Sequence, residues 1–197
     1  AKGPGSTLFG TEMVNLEATG DGVAATLLGP DGERTVNADW VVACDGAASP
    51  TRKIVGIPME GPEALAHVVG IYFHADLSEI VENRPAVLYW AISEDASGTF
   101  IAIDGRERWV FHAAWDTDQL SLESYTEQRC HQILQRALGS ELSRKTEIEI
   151  RSIRPWTMSA QVAERYREGR VLLVGDAAHR FPPTGGFGMN TGIQDAH

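Results

Sequence analysis

Residues 170–197 read RVLLVGDAAHRFPPTGGFGMNTGIQDAH and contain several structural signals in succession. The first is an uninterrupted apolar run, 171–174, which predicts a strand that is buried on both faces. Asp176 follows where that strand should end. Because ligands of open α/β sheets bind beyond the carboxyl ends of the strands, Asp176 is predicted to accept hydrogen bonds from the hydroxyl groups of a ligand.

The segment that follows Asp176 combines prolines with glycines, PPTGGFG over 182–188. Proline stiffens the backbone and glycine lacks a side chain, so main-chain N–H groups in this loop can approach a flat or anionic ligand closely. Residues from Asn190 onward predict the first turns of a helix whose positive N-terminal end would face that ligand. An ordinary strand–loop–helix crossing with a tight turn is the alternative interpretation.

Residues 38–53, ADWVVACDGAASPTRK, contain a second strand-like run that ends in an acidic residue. Trp40–Cys44 predicts another buried strand, and Asp45–Gly46 ends it. Ser49 is suited to cap a short helix from which Arg52 projects. The structural alternative is a capped helix whose arginine only pairs with a carboxylate. We expect the two acidic strand tips to converge on one groove.

These two stretches resemble the FAD-dependent aromatic hydroxylases, the single-component monooxygenases typified by para-hydroxybenzoate hydroxylase and phenol hydroxylase. The resemblance lies in GRVLLVGDAAH followed by PPTGGFGMNTGIQDAH, and in the earlier pattern Asp-Gly-x-x-Ser-x-x-Arg. It implies an α/β (α+β) fold, in which a partial Rossmann-like FAD-binding lobe is joined to a substrate lobe built on a mainly antiparallel sheet. The implied lobes are residues 1–58 with 154–197 for FAD, and 59–153, with one helix, for the substrate.

The resemblance also implies which residues bind the cofactor. They are Asp176 for the ribityl chain of FAD, Pro183, Gly186 and Gly188 along the isoalloxazine, Met189 and Asn190 at the helix start near nitrogen 1, and Asp45, Gly46, Ser49 and Arg52 near the pyrophosphate. The last group has also been tied to the use of a nicotinamide cofactor.

The implied activity is that of a monooxygenase that uses FAD and NAD(P)H. Dioxygen would add to the reduced flavin, and the resulting flavin hydroperoxide would hydroxylate an aromatic substrate, phenolic or polyketide. We expect no catalytic side chain and no metal ligand, because the chemistry belongs to the cofactor. Two other interpretations stay open. One is a flavoprotein of the same fold that does not hydroxylate, such as a halogenase, an epoxidase or a reductase, and the other is a non-catalytic binding remnant.

The sequence departs from the family pattern at one landmark, the Gly-x-Gly-x-x-Gly turn that binds the ADP pyrophosphate of FAD. Gly3-Pro4-Gly5 does not follow a strand, and the glycines of the 182–188 loop lie in a different context. The resemblance therefore covers a middle portion of the family fold. We expect a piece of a longer protein that binds FAD poorly by itself and is inactive in isolation.

Between the two stretches, the sequence alternates strand-like runs with polar turns. Strands are predicted over 66–73, 86–92, 98–103, 109–114 and 145–153, and an amphipathic helix over 121–138 with Ser121 and Ser124 as caps. Tyr89, Trp90 and Phe100 are candidates for the wall of a substrate pocket, and core packing is the alternative role for each.

Composition limits the partners of the chain. Its 197 residues carry a formal net charge of -10, and no dense cluster of Lys and Arg predicts contact with nucleic acid. No apolar run is long enough to cross a membrane. Cys44 and Cys130 form no motif, so a reduced, cytoplasmic setting is the simpler expectation and one disulfide the alternative. The expected partners are an aromatic small molecule and dioxygen, and assembly into a homo-oligomer stays open.

Overall fold

The computed structural model describes residues 5–92 and 96–197. In chain order its elements are β1 (Glu12–Ala18), β2 (Val23–Gly29), β3 (Gly32–Ala38), β4 (Val41–Ala43), α1 (Pro50–Ile54), β5 (Met59–Glu60), β6 (Ala66–His74), α2 (Ser78–Val81), β7 (Leu88–Ala91), β8 (Gly98–Ala102), β9 (Arg108–Ala114), α3 (Glu127–Leu138), α4 (Ser140–Ser143), β10 (Glu149–Met158), β11 (Gln161–Ala163), β12 (Arg167–Glu168), β13 (Val171–Leu173), β14 (His179–Arg180) and α5 (Phe187–Asp195). The α/β class is confirmed, and most strand pairs are antiparallel.

The chain forms two compact units, the first made of Ala1–Glu63 with Ser159–His197 and the second of Ala64–Met158. The boundaries thus lie beyond the predicted positions, 58 and 153. At the first boundary, β5 pairs with β11 and so belongs to the first unit. At the second boundary, β10 remains paired with β6 as far as Met158 and so extends the second unit.

The first unit contains the only parallel pair among the described strands, β4 beside β13. Val171 is opposite Val41, and Leu173 is opposite Ala43. On its other side β13 pairs with β12 in antiparallel fashion. Because parallel strands end at the same edge of a sheet, the residues that follow β4 and β13 become neighbours.

The prediction that these two strands are buried on both faces is wrong for the described residues. Val171 and Leu173 are buried and pack into small apolar clusters, but Val42, which points the other way, is 55% exposed. Side chains alternate across a strand, so one face of this three-stranded sheet is covered and the other is partly open.

The second unit is a five-stranded antiparallel sheet in the order β10-β6-β9-β8-β7, with α3 on one face. The core between them contains fully buried side chains from both sides, including Ile71, Phe111 and Leu134. The runs predicted as strands over 66–73, 86–92, 98–103 and 109–114 appear as β6, β7, β8 and β9.

Three predicted boundaries in the second unit are wrong. The helix expected over 121–138 begins at Glu127, because Thr126 caps it by accepting the N–H of Arg129 at 3.2 Å, and a short 3₁₀ turn precedes it. The last strand, predicted over 145–153, begins instead at Glu149 and runs through Pro155 to Met158. Proline is tolerated there because β10 is an edge strand.

We expect Leu134→Ala to lower the free energy of unfolding by about 2–5 kcal/mol, because it leaves a cavity beneath α3. Gln135→Ala, at the exposed neighbouring position of the same helix, is the matched control and should change the stability by less than about 0.5 kcal/mol. Chemical denaturation measures both variants. Equal stabilities of the two variants would contradict the packing of α3 on this sheet.

Candidate cofactor site

The two acidic strand tips lie side by side in the first unit. The N–H of Val174 donates to the carbonyl of Ala43 at 3.0 Å, which extends the parallel pairing to the last residues before the tips. Gly46 and Gly175 then turn the chain with positive φ angles of 78° and 61°. Both are conformations that favour glycine, so each tip turns without a side chain in the way.

A shallow groove of about 530 Å³ joins the two tips and α5. Its lining residues are Cys44, Gly46, Val174, Gly175, Asp176, Met189, Gly192, Ile193 and Ala196. The groove thus has polar main chain at the strand tips and apolar side chains on the helix. Such a surface suits a flat ligand that carries hydroxyl groups along one edge.

Asp176 is exposed at this groove and its carboxylate has no hydrogen-bond partner among the described residues. It lies in a single 3₁₀ turn that follows β13. The carboxylate is therefore free to accept hydrogen bonds from a ligand.

Asp45 differs, because its carboxylate is already engaged. One oxygen accepts the hydroxyl of Ser49 at 2.5 Å, and the other accepts the N–H of Thr51 at 2.9 Å. Ser49 in turn caps α1 by accepting the N–H of Arg52 at 3.0 Å. Partial burial alone would raise the pKa of Asp45, but the hydrogen bonds from Ser49 and Thr51 outweigh it and lower the pKa below its ordinary value.

Arg52 points into the first unit rather than into the groove. The residue is only 4% exposed, and its guanidinium donates to the carbonyls of Ala177 at 2.9 Å and Ala47 at 3.3 Å. Burial, together with the neighbouring charge of Arg180, lowers the pKa of Arg52. These contacts favour a structural role for Arg52, but its partners are main-chain carbonyls and not the carboxylate of the structural alternative. Arg52 thereby joins the two acidic segments to each other.

The glycine-rich loop leads into α5 three residues earlier than predicted, because the helix begins at Phe187 and not at Asn190. Gly186 precedes it in the left-handed conformation, with a φ of 66°, and no side chain caps the first turn. Asn190 lies one turn into the helix and donates its amide to the carbonyl of Gly186 at 3.0 Å. The unpaired N–H groups of the first turn thus lie around Gly188, beside the exposed Pro183 loop.

The three candidates for a pocket wall lie in the second unit on two different faces of its sheet. Tyr89 pairs with Phe100, whereas Trp90 pairs with Thr99 and so points the other way. Phe100 is 5% exposed and its ring packs 4.5 Å from that of Phe111, so its role is core packing. All three border a cavity of about 400 Å³ beside β7, and half of its other lining residues come from α2, α3 and α4.

The face opposite α3 carries aromatic side chains that sequence reasoning did not single out as pocket residues. His112 and Trp156 lie there with their ring centroids 5.1 Å apart. Trp90 lies on this face too and is 67% exposed. Burial lowers the pKa of His112. These residues share one face only because of the strand register, which cannot be read from the sequence.

Other site classes find no support in the described part of the chain. Across residues 5–92 and 96–197, no cluster of His, Cys, Asp and Glu is arranged to bind a metal ion. None of the described helices has the length and apolar character that a membrane span requires. Cys44 and Cys130 are both free thiols.

We expect Arg52→Ala to lower the free energy of unfolding by about 2–3 kcal/mol, because the buried carbonyl of Ala177 then loses its partner. Lys53→Ala is the matched control, since Lys53 is exposed on the same helix. Thermal unfolding of the two variants measures the difference. If Arg52→Ala unfolded at the same temperature as wild type, Arg52 would not stabilise the contact between the two acidic segments.

The capping role of Asp45 predicts a pH dependence. A carboxyl group whose pKa is lowered by folding contributes stability above its unfolded value, and that stability disappears as the pH falls through the folded value. The difference in melting temperature between wild type and Asp45→Asn should therefore be full at pH 7 and shrink as the pH falls below about 4. A constant difference from pH 7 to pH 2.5 would argue against the charged cap.

Comparison with known proteins places this chain in a family. A family model described as an FAD binding domain matches residues 1–197. A Streptomyces coelicolor protein whose name assigns it to the polyketide hydroxylases is 43% identical, over 98% of this chain and 31% of its own. The aklavinone 12-hydroxylase DnrF of Streptomyces peucetius is 40% identical, over 95% of this chain and 38% of its own.

A solved structure shares the fold. The ternary complex of aklavinone-11 hydroxylase with FAD and aklavinone superimposes with a TM-score of 0.86 at 37% identity, and the match covers 93% of this chain and 35% of that one. The chain spans about a third of the length of the relatives that it matches. The family model matches the chain from end to end, and the chain therefore belongs to the FAD-binding domain family.

Proposed function

We propose that this chain forms the ribityl and isoalloxazine side of the FAD site in an aromatic hydroxylase that acts on polyketide-type substrates. The observation that carries the proposal is the free carboxylate of Asp176, exposed in a groove between two parallel strand tips and a helix. A single acceptor at that position matches the hydroxyl-bearing chain of a flavin nucleotide.

The residues present fit FAD in three respects. Asp176 supplies an acceptor without a competing partner, and the tips at Gly46 and Gly175 allow close approach of the main chain. Gly192 keeps that side of α5 free of a side chain, while Met189 and Ile193 present apolar surface. The first turn of α5 offers N–H groups without a side-chain cap.

The division of labour follows from these contacts. When bound, FAD supplies the redox chemistry, which is the uptake of hydride from NAD(P)H and the activation of dioxygen. Asp176 binds and orients the cofactor. The positive end of α5 favours negative charge near the loop at Gly186, which is an electrostatic contribution. No described side chain needs to act as a nucleophile.

The relatives and the second unit support a proposal for the substrate class. Relatives are named for polyketides and for aklavinone, and one relative was solved with aklavinone bound. In this chain, Trp90, His112 and Trp156 make the face of the second sheet opposite α3 aromatic. Flat aromatic ligands stack well on such side chains. We therefore propose a fused or phenolic aromatic substrate, with NAD(P)H as reductant.

Isotope labelling separates hydroxylation from the chemistry of a same-fold flavoprotein that does not hydroxylate. With ¹⁸O₂, the complete protein should transfer one labelled oxygen atom to an aromatic polyketide and consume NAD(P)H in a substrate-dependent way. A halogenated product, or a reduced product without labelled oxygen, would contradict hydroxylation and indicate one of the other flavoprotein activities.

Asp176→Ala in the complete protein should weaken FAD binding about tenfold or more, because a hydrogen bond to a charged group contributes about 1.5–3 kcal/mol. Quenching of flavin fluorescence measures the dissociation constant. Asp21→Ala, which removes an exposed carboxylate from a turn in the same unit, is the control and should bind FAD like wild type. If Asp176→Ala bound FAD with unchanged affinity and kept its turnover, the assignment of Asp176 to FAD binding would be wrong.

A further inference from the structure

His179 lies at the base of the glycine-rich loop and is almost completely buried, at 1% exposure. Its Nε2 atom is 2.6 Å from one carboxylate oxygen of Asp195, the last residue of α5. A carboxylate can only accept, so Nε2 carries the proton and donates it to Asp195. The bond thus links the start of the loop to the end of the helix that follows it.

The same oxygen of Asp195 accepts a second hydrogen bond, from the N–H of Gly175 at 2.8 Å. Gly175 is the residue directly before Asp176. One oxygen atom therefore joins three segments: the strand tip that carries the exposed carboxylate, the entry to the loop, and the far end of α5.

The His179 side chain has no other hydrogen-bond partner among the described residues. Its Nδ1 atom is buried without a hydrogen-bond partner. The imidazole lies between two aromatic rings, with centroids 4.8 Å away at Phe181 and 6.2 Å away at Tyr166. These rings enclose the imidazole, and Asp195 supplies the one hydrogen bond to it among the described residues.

The helix also approaches the strand tip at the level of the main chain. A Cβ atom added to Gly192 would lie 3.2 Å from the Cα atom of Gly175. Gly192 and Asp195 are three residues apart and so lie on the same side of α5. The close contact and the two hydrogen bonds therefore act on one helix face, and together they set the distance from α5 to the tip.

We propose that Asp195 is a positioning residue for the flavin, held in place through Gly175 and His179. It fixes Asp176 on one side of the groove relative to the N-terminal end of α5 on the other. The inference rests on the proposed function, because it assigns a role in holding the same cofactor. Without the Asp195 carboxylate the unit keeps its sheet and core, but the loop and the helix lose their common anchor.

The test compares three substitutions in the complete protein. Asp195→Ala removes both hydrogen bonds. Asp195→Asn keeps an oxygen that can accept from both donors and is the conservative variant. Gln194→Ala changes the exposed neighbouring residue and is the control. Asp195→Ala should bind FAD at least tenfold more weakly, whereas Asp195→Asn and Gln194→Ala should stay within about threefold of wild type.

A second readout separates positioning from simple stabilisation. At saturating FAD and well below the melting temperature, the flavin of Asp195→Ala should have a more negative midpoint potential than wild type, because the positive end of α5 moves away from the reduced, anionic flavin. Asp195→Asn should restore the wild-type potential. A lower melting temperature with unchanged affinity and unchanged potential would overturn the proposal.

Hydrogen exchange on the FAD-free protein keeps this inference distinct from the proposed function. The amides of the loop over 181–188 should exchange faster in Asp195→Ala than in wild type, even if wild type were found not to bind FAD. Should Asp195→Ala fail to fold, His179→Phe provides a second variant, since it retains the bond from Gly175 and should still release the loop. Wild-type exchange in both variants would contradict the anchoring role.

Discussion

The parallel pairing of β4 with β13 is the constraint on which the site depends. Two segments more than 120 residues apart in sequence meet through three residue pairs, and the hydrogen bond from Val174 to Ala43 extends the contact to the tips. The acidic residues that follow each strand therefore share one edge. Without this pairing, neither the groove nor the approach of α5 to the strand tip would exist.

The two acidic residues at this edge have different tasks. The carboxylate of Asp45 accepts hydrogen bonds from Ser49 and from the first turn of α1. That turn presents Arg52, whose buried guanidinium reaches across to the carbonyl of Ala177 on the other segment. Asp45 therefore maintains the groove from within the protein, whereas Asp176 keeps its carboxylate free at the surface. Of two similar residues at equivalent strand ends, one thus has a structural role and the other leaves its carboxylate free for the proposed cofactor.

Local signals in the sequence were sufficient for the elements that carry the site. The apolar runs around Val42 and Leu172 predict the two strands, and the serine before a proline predicts the cap of α1, which Ser49 forms. The acidic position after each strand follows from the same runs. These features depend on residues that are close together in the chain, so composition and spacing reveal them.

Features that depend on distant contacts were not predictable in the same way. The start of α5 at Phe187 is a local feature that was also missed, because glycines on both sides give the sequence no clear boundary there. The extent of β10 through Pro155 depends on its edge position, and the face shared by His112 and Trp156 depends on strand register. The bond between His179 and Asp195 becomes visible only when the loop between them folds back.

The central claim is that Asp176, at the edge formed by β4 and β13, holds the hydroxyl-bearing chain of FAD. A crystal structure of the complete protein with FAD tests it most directly, through the distances from the Asp176 carboxylate oxygens to the cofactor hydroxyl groups. The account predicts at least one separation of about 2.5–3.0 Å, the range of an O–H···O hydrogen bond. FAD bound elsewhere, with Asp176 facing solvent, would contradict it.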